Sequence, residues 1–249
     1  MTDPINIDLW VFPLDRTDDE FAWLGSLCSP AERKRASHFA SPIDRHQRLA
    51  ARGLLRRVLA SYLELPPEHI EFSTGPFGKP QLAACPAPVA FNVSHSEGIV
   101  ALAVCRHIEV GIDIEAVRPI EEPIAGLVLT EREQILLSTL KGEEWQDAFY
   151  RAWTRKEALV KAMGTGLNHP LQNLEVSFGP GESARMLVVD GDRASNWTLI
   201  HIEPRVGFIG AIALRTKGRD VKISPRNICD LTSKLLPGSP EVEPVHRPR

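Results

Sequence analysis

Two carboxylates, Asp113 and Glu115, stand two positions apart in an apolar segment that runs from residue 110 to residue 117. The segment is typical of a strand, whose period of two places both carboxylates on one face and Ile112 and Ile114 on the other. Neighbouring carboxylates oppose each other's ionisation unless a cation lies between them, and their hard oxygens favour Mg²⁺ or Mn²⁺. The alternative interpretation is an exposed strand face that carries two solvated acids.

A second pattern lies in the segment from residue 153 to residue 161. Trp153, Glu157 and Lys161 are spaced by four and therefore share one face of a predicted helix. The simplest alternative is a surface ion pair between Glu157 and Lys161, worth a few tenths of a kcal/mol.

A third group of polar side chains, Asn92, Ser94 and His95, follows the apolar start of a predicted strand. A serine beside a histidine suggests a nucleophile and its base, but adjacent residues of a strand point to opposite faces. Anion binding therefore suits these side chains better. A polar turn that satisfies loose backbone groups is the alternative.

The charge of the chain is unevenly distributed. Residues 32–57 hold eight Lys and Arg against two acids, a local charge of +6, whereas the whole chain has a net charge of −3. The net charge of all the other residues is therefore −9. Such a concentrated basic segment favours an anionic ligand, and its helical spacing places Arg48, Arg52 and Arg56 on one stripe.

The elements that must position these residues can be predicted from hydrophobic periodicity. Ser29 is typical of a helix N-cap, and Gly164 is typical of a helix end. Strands are predicted over residues 5–11, 89–93, 99–104, 110–117, 174–178, 197–202 and 208–214, and helices over residues 44–63, 130–140 and 143–163. This mixture predicts an α+β protein.

Two similar segments suggest that the chain is built from two halves. Residues 98–104 and 207–214 both begin with glycine and continue as small apolar strands. We predict an N-terminal half over 1–108, a C-terminal half over 109–223 and a disordered, proline-rich tail over 224–249. Each half would pack a small, mainly antiparallel sheet against a long helix, with the active site in the cleft between the two pseudo-symmetric halves.

Composition excludes several classes of protein. With 249 residues, 43% of them apolar, the chain is long enough for a substantial core, and its longest apolar runs fall far short of the ~20 residues needed to span a bilayer. The N-terminus lacks a basic segment before an apolar run, and the four cysteines form no zinc-like spacing. We therefore expect a cytoplasmic protein with reduced thiols and no membrane association.

Taken together, these motifs resemble the 4′-phosphopantetheinyl transferases of the surfactin-synthetase-activating (Sfp) type. The family pattern of Ser-His, Gly-Ile-Asp-Ile-Glu and Trp-x-x-Lys-Glu-x-x-x-Lys occurs here in order, at 94–95, 111–115 and 153–161. The resemblance extends to residues 29–35 and 77–80 and covers about residues 5–215.

The resemblance implies transfer of the phosphopantetheine arm of coenzyme A to a serine of an apo acyl or peptidyl carrier protein, with release of adenosine 3′,5′-bisphosphate. It implies Mg²⁺, or alternatively Mn²⁺, held by Asp113, Glu115 and Glu157. Glu157 would be the general base, and Lys161 would contact the diphosphate, so Asp113, Glu157 and Lys161 are the catalytic candidates. The coenzyme A ligands would be Arg35, Lys79, Asn92, Ser94, His95 and Lys161.

The resemblance also implies a transient carrier-protein partner and a monomer. Glu32 departs from the pattern because some relatives carry lysine there, which leaves fewer cations for the 3′-phosphate. Two alternatives stay open: a non-catalytic binder of coenzyme A or nucleotide, and a Mg²⁺-dependent phosphodiester hydrolase or nucleic-acid binder. The basic segment lacks the interleaved aromatic residues typical of single-strand binding, so no nucleic-acid partner is expected.

Overall fold

A computed structural model describes residues 3–83, 88–120, 124–166, 169–227 and 231. The helices are α1 Asp18–Ser26, α2 Pro30–Ser37, α3 Pro42–Leu63, α4 Ala125–Val128, α5 Glu131–Ser138 and α6 Gly142–Met163. The strands are β1 Ile5–Pro13, β2 Phe72–Thr74, β3 Pro80–Leu82, β4 Val89–Ser96, β5 Ile99–Arg106, β6 Val110–Ala116, β7 Glu175–Val176, β8 Met186–Val188, β9 Thr198–Ile202, β10 Phe208–Leu214 and β11 Val221–Arg226. The predicted α+β class is confirmed.

By packing, the described residues form two compact units. The first comprises residues 3–14 and 69–227, and the second contains residues 15–68. This division separates α1 to α3 from all the strands, so it does not follow the predicted boundary after residue 108. The two-half organisation with its cleft stays a prediction.

The helical unit begins its helices with side-chain caps. Thr17 and Glu20 form a capping box at α1, and Ser29 and Glu32 form one at α2, as the N-cap prediction for Ser29 required. The long helix α3 packs against both α1 and α2. Its apolar residues from Ala50 onwards are buried, as the helical spacing predicted.

The sheet unit contains two main sheets. One has the strand order β11-β1-β5-β4, and the other has the order β6-β10-β9. All pairings within these sheets are antiparallel except that of β1 with β11. The two similar sequence segments form β5 and β10, which both lie inside their sheets and both follow a glycine with positive φ, Gly98 and Gly207.

Two apolar clusters stabilise this unit. One cluster combines residues of β1 and β5 with Val110, Ile112 and Ile114 of β6, which joins the two main sheets. The other cluster includes the apolar residues of α6, which packs on β6 and β10. The two isoleucines of β6 thus lie in one core, and the carboxylate face of β6 is free to meet α6, as the strand period predicted.

One predicted boundary is wrong at the C-terminus. The proline-rich composition predicts a tail from residue 224, but β11 extends from Val221 to Arg226 and pairs with β1. Pro225 suggests a loop, yet β11 is an edge strand of its sheet, and an edge strand tolerates a residue that has no amide hydrogen to donate. The rest of the predicted tail, apart from residues 227 and 231, lies outside the described residues.

Two of the four cysteines lie among the described residues. Cys28 and Cys105 are buried free thiols, and burial raises the pKa of each to about 11. Cys85 and Cys229 lie outside the described residues. In the parts of the chain that the structure covers, no helix has the length and apolar character to cross a bilayer.

Candidate active site

The edge of β6 is held by side chains rather than by a neighbouring backbone. β4 and β6 are the edge strands of the two main sheets, and they lie side by side. Alternate side chains of β4 accept hydrogen bonds from alternate backbone amides of β6. The pairs are Asn92 with Ile112 at 2.9 Å, Ser94 with Ile114 at 3.3 Å and Ser96 with Ala116 at 3.2 Å. This side-chain ladder fixes the position of the strand that carries the two acids.

Asp113 is the most deeply buried of the candidate acids, with 4% of its surface exposed. Its Oδ1 accepts hydrogen bonds from Ser94 Oγ at 2.9 Å and from Lys161 Nζ at 2.6 Å. Lys161 also donates to Ser94 Oγ and to the carbonyl of Ile112. The structure therefore brings together Asp113, Ser94 and Lys161, which come from two strands and one helix.

Glu115 and Glu157 lie within the electrostatic field of Asp113. Burial raises the pKa of Glu115, and the negative charge of Asp113 raises it further, whereas the Ser96 hydroxyl and Lys161 oppose the rise. Burial also raises the pKa of Glu157, with further increases from Asp113 and Glu115 and an opposing effect of Lys161. The three carboxylates thus form one interacting group with Lys161 as the nearby cation.

Close contact between β6 and α6 depends on Gly111. A Cβ atom at this position would lie 1.9 Å from the carbonyl oxygen of Ala158 and 2.5 Å from the amide nitrogen of Ala162. Gly111 lies on the same strand face as Asp113 and Glu115, so the absent side chain lets α6 approach that face. This approach brings Lys161 within hydrogen-bonding distance of Asp113.

Lys156, the neighbour of Glu157 in the motif, points into the core of the protein. Its side chain is fully buried, and its ammonium forms an ion pair with Glu133 and donates to the carbonyls of Val128 at 2.9 Å and Leu171 at 3.1 Å. Lys156 therefore anchors α6 to the surrounding chain, whereas Glu157 and Lys161 lie on a different face of the helix, near Asp113.

The donor chemistry of this site fits a hard divalent cation. Asp113 Oδ2 is buried, yet it has no hydrogen-bond partner among the described residues. Within those same parts, no three His, Cys, Asp or Glu side chains converge enough to enclose an ion by themselves. Mg²⁺ commonly takes one or two carboxylates, substrate phosphates and water, so Asp113 with its acidic neighbours is a suitable donor set.

The other candidate ligands of the sheet unit lie in separate places. Lys79 pairs with Glu109 and donates to the carbonyl of Val110, at the beginning of β6, whereas Asp113 lies at its middle and Glu115 near its end. His95 is exposed and has the opposite strand parity from Ser94. Its ring and the serine hydroxyl therefore do not form a nucleophile and base pair, as the sequence indicated.

Arg35 belongs to the helical unit, where its side chain is exposed on α2. Two other cations of the basic segment are held internally: Glu32 accepts from Arg52 and from Arg56, the latter at 2.8 Å. The same glutamate caps α2. Glu32 thus has a structural role, and Arg52 and Arg56 already have a carboxylate partner.

Sequence reasoning missed one part of the site. Ser96 donates to Glu115 Oε2 at 2.8 Å, although its sequence context suggested no function. The signal was present, because Asn92, Ser94 and Ser96 alternate with the same period as the acids of β6. Period-two alternation in two adjacent edge strands is the pattern that predicts such a ladder.

Two family models match the chain, and one of them covers the residues of this site. Residues 15–107 match the family "4′-phosphopantetheinyl transferase, N-terminal", and residues 109–214 match the "4′-phosphopantetheinyl transferase superfamily". The second match contains β6 and α6, and thus Asp113, Glu157 and Lys161.

Individual relatives extend over most of the chain. The chain is 34% identical to the 4′-phosphopantetheinyl transferase HetI of Nostoc, over 84% of this chain and 87% of that protein. It is 30% identical to the human L-aminoadipate-semialdehyde dehydrogenase-phosphopantetheinyl transferase, over 88% and 82% of the two chains. It is 34% identical to Sfp of Bacillus subtilis, over 61% and 66%. The resemblance inferred from the motifs is confirmed, and the chain belongs to the 4′-phosphopantetheinyl transferase superfamily.

Proposed function

We propose that this enzyme transfers the 4′-phosphopantetheine moiety of coenzyme A to a serine of an apo acyl or peptidyl carrier protein, with Mg²⁺ bound, and releases adenosine 3′,5′-bisphosphate. The single observation that carries the proposal is the 2.6 Å contact of the buried Asp113 with the partly exposed Lys161, beside Glu115 and Glu157. The family membership supports the class of reaction.

The chemistry requires that a serine hydroxyl attack the phosphorus atom that bears the pantetheine. A new bond forms from the seryl oxygen to that phosphorus, and the bond from the phosphorus to the bridging diphosphate oxygen breaks. The bridging oxygen leaves with the adenosine 3′,5′-bisphosphate. Positioning and charge stabilisation supply most of the catalysis in such a reaction.

Glu157 takes the proton of the attacking serine. This role follows from the family membership and from the place of Glu157 on α6, one turn before Lys161. Burial and the charges of Asp113 and Glu115 raise its pKa in the absence of a cation, so the same acids that would attract the cation also act on the base.

Lys161 stabilises the negative charge of the diphosphate. Its ammonium is the cation that faces Asp113, and it belongs to the same helix as Glu157, one turn further along. A positive charge placed where negative charge increases in the transition state is typically worth 10² to 10³ in rate.

Asp113, Glu115 and Glu157 would hold the magnesium ion together with diphosphate oxygens and water, because within the described residues these carboxylates do not enclose an ion by themselves. When bound, the ion neutralises charge on the diphosphate oxygens. The buried, unpartnered Oδ2 of Asp113 supports this assignment on the chain's own geometry.

The ligands of the coenzyme A body are proposed as Arg35, Lys79, Asn92, Ser94 and His95. Arg35 and His95 are exposed, which suits a contact with a bound anion. Ser94 and Asn92 are engaged with β6, so their effect on coenzyme A would act through the position of that strand as well as by contact. We further propose a cytoplasmic monomer whose macromolecular partner is the carrier protein.

Product analysis tests this function against the alternatives. Coenzyme A, Mg²⁺ and the enzyme are incubated with and without an apo carrier protein, and the nucleotides are separated by liquid chromatography. We expect adenosine 3′,5′-bisphosphate in proportion to modified serine, and none without carrier. Release of the nucleotide without carrier would indicate the hydrolase, and binding of coenzyme A without any release would indicate the non-catalytic binder.

A further inference from the structure

The ladder between β4 and β6 contains two rungs with the same construction. Ser94 Oγ accepts from the amide of Ile114 and donates to Asp113, and Ser96 Oγ accepts from the amide of Ala116 and donates to Glu115. In each rung the serine holds the carboxylate of one residue and the amide of the next. A hydroxyl has one hydrogen, so once its oxygen accepts the amide, that hydrogen is available for the carboxylate.

The third rung shows that this construction serves the acids. Asn92 accepts from the amide of Ile112 at 2.9 Å, but the preceding residue, Gly111, has no carboxylate. Docking of β4 on β6 therefore needs only the bond to the amide. The additional bonds to Asp113 and Glu115 occur where β6 carries an acid.

We infer that Ser96 is a positioning residue that orients Glu115 toward the cation of the active site, as Ser94 orients Asp113. This inference rests on the proposed function. Glutamate has one more rotatable bond than aspartate, and Glu115 is only half-buried, so it has more conformational freedom to lose on binding a cation. The 2.8 Å bond from Ser96 to Oε2 restricts that freedom and leaves Oε1 for the ion. Partners that orient metal-binding carboxylates in this way commonly contribute 10- to 100-fold in metal affinity.

Direct titration with Mn²⁺ tests the inference without relying on turnover. Free Mn²⁺ is measured by electron paramagnetic resonance in the presence of saturating coenzyme A and in the absence of carrier protein. We expect Ser96→Ala to weaken Mn²⁺ binding about tenfold. Ser96→Thr retains the hydroxyl and should bind Mn²⁺ with the affinity of the native enzyme.

Two comparisons separate positioning from folding. Ser96→Thr and Ser96→Val have the same shape and differ in the hydroxyl, so their difference in affinity reports the hydrogen bonds of the hydroxyl even where Ser96→Ala alters folding. Ser96→Val is also made in a Glu115→Ala background, where a serine that acts through Glu115 should have no further effect on the affinity for Mn²⁺.

The outcomes distinguish this inference from the proposed function. If the native enzyme binds Mn²⁺ and both Ser96→Ala and Ser96→Val bind it equally well, the positioning role is overturned alone. An equal loss of affinity from Ser96→Val with and without Glu115 would also overturn it, because the bond from the Ala116 amide to Ser96 would then explain the loss. If the native enzyme fails to bind Mn²⁺ with coenzyme A present, the metal site of the proposed function falls, and this inference falls with it.

Discussion

Replacing Lys156 by methionine removes a buried cation while keeping most of the volume of its side chain. In the native protein the ammonium faces Glu133 and the carbonyls of Val128 and Leu171. Lys156 is 0% exposed and Glu133 is 3% exposed in their side chains, so water cannot replace the lost contacts without rearrangement. The substitution therefore leaves the Glu133 carboxylate without its cation and the Val128 carbonyl without the lysine donor, whereas the Leu171 carbonyl still accepts from the Leu174 amide at 3.2 Å.

The expected loss follows from these contacts. Removing one member of a buried pair costs about 3–5 kcal/mol of unfolding free energy, and the loss of the lysine donor to the Val128 carbonyl adds about 1–3 kcal/mol. Glu133 retains hydrogen bonds from the amides of Thr130 and Val176, both at 2.9 Å, which limits the penalty for its charge. We therefore expect a total near 3–5 kcal/mol, which at this chain length lowers the melting temperature by roughly 6–20 °C.

Urea unfolding and calorimetry measure this loss. Lys34→Met is the matched control, because Lys34 is exposed on α2, and it should change the unfolding free energy by less than about 0.5 kcal/mol. Adding Glu133→Gln to Lys156→Met removes the unpaired charge and should restore part of the stability. A loss below about 1 kcal/mol for Lys156→Met, or no recovery in the double variant, would refute the buried-pair argument.

Three further predictions concern single positions. Lys161→Ala should reduce turnover at saturating coenzyme A by about 10²-fold or more, measured by carrier modification, and an unchanged rate would exclude its role at the diphosphate. Gly111→Ala should prevent native packing of α6, because the new Cβ would lie 1.9 Å from the carbonyl of Ala158; a native circular dichroism spectrum and melting temperature would contradict this. Although burial raises the pKa of Glu32, hydrogen bonds from Arg56 and the Ser29 amide, together with the charge of Arg52, lower it from 4.5 to about 2. Its contribution to stability is present above pH 4.5 and disappears as the pH falls through about 2, so Glu32→Gln should flatten acid unfolding in that window, and an unchanged acid profile would count against the assignment.

Local patterns predicted the elements that carry the acids. Alternation in β6 placed Asp113 and Glu115 on one face, and the cap at Ser29 and the glycine after α6 marked real helix ends. These features depend on residues that are close together in the sequence. They can therefore be predicted from the sequence alone.

Features that depend on distant contacts were less predictable. β11 contains proline and is defined by its pairing with β1, more than 200 residues away, so its local composition indicated a tail. The internal use of Arg52 and Arg56 depends on Glu32, which lies twenty or more positions earlier. The basic segment therefore has less free positive charge than its composition suggests.

The face of α6 on which Lys156 lies could have been predicted from helical spacing. Its neighbours at helical spacing, Ala152, Leu159 and Val160, are all buried, so the lysine belongs to the apolar stripe of α6. The motif placed Lys156 beside Glu157, and that proximity in sequence concealed its position on a different face. Consecutive residues of a helix differ by about 100° in direction, which is enough to put Lys156 in the core and Glu157 at the site.

Intact-mass spectrometry of apo carrier proteins tests the central claim most directly. Carrier proteins are incubated with coenzyme A, Mg²⁺ and the enzyme, beside reactions that contain Asp113→Ala or omit the metal. The proposed function predicts a mass gain of one phosphopantetheinyl group that requires both Mg²⁺ and Asp113. A gain of the same size with Asp113→Ala, or after chelation of the metal, would contradict the role of this site, and no gain on any carrier would contradict the proposed transfer itself.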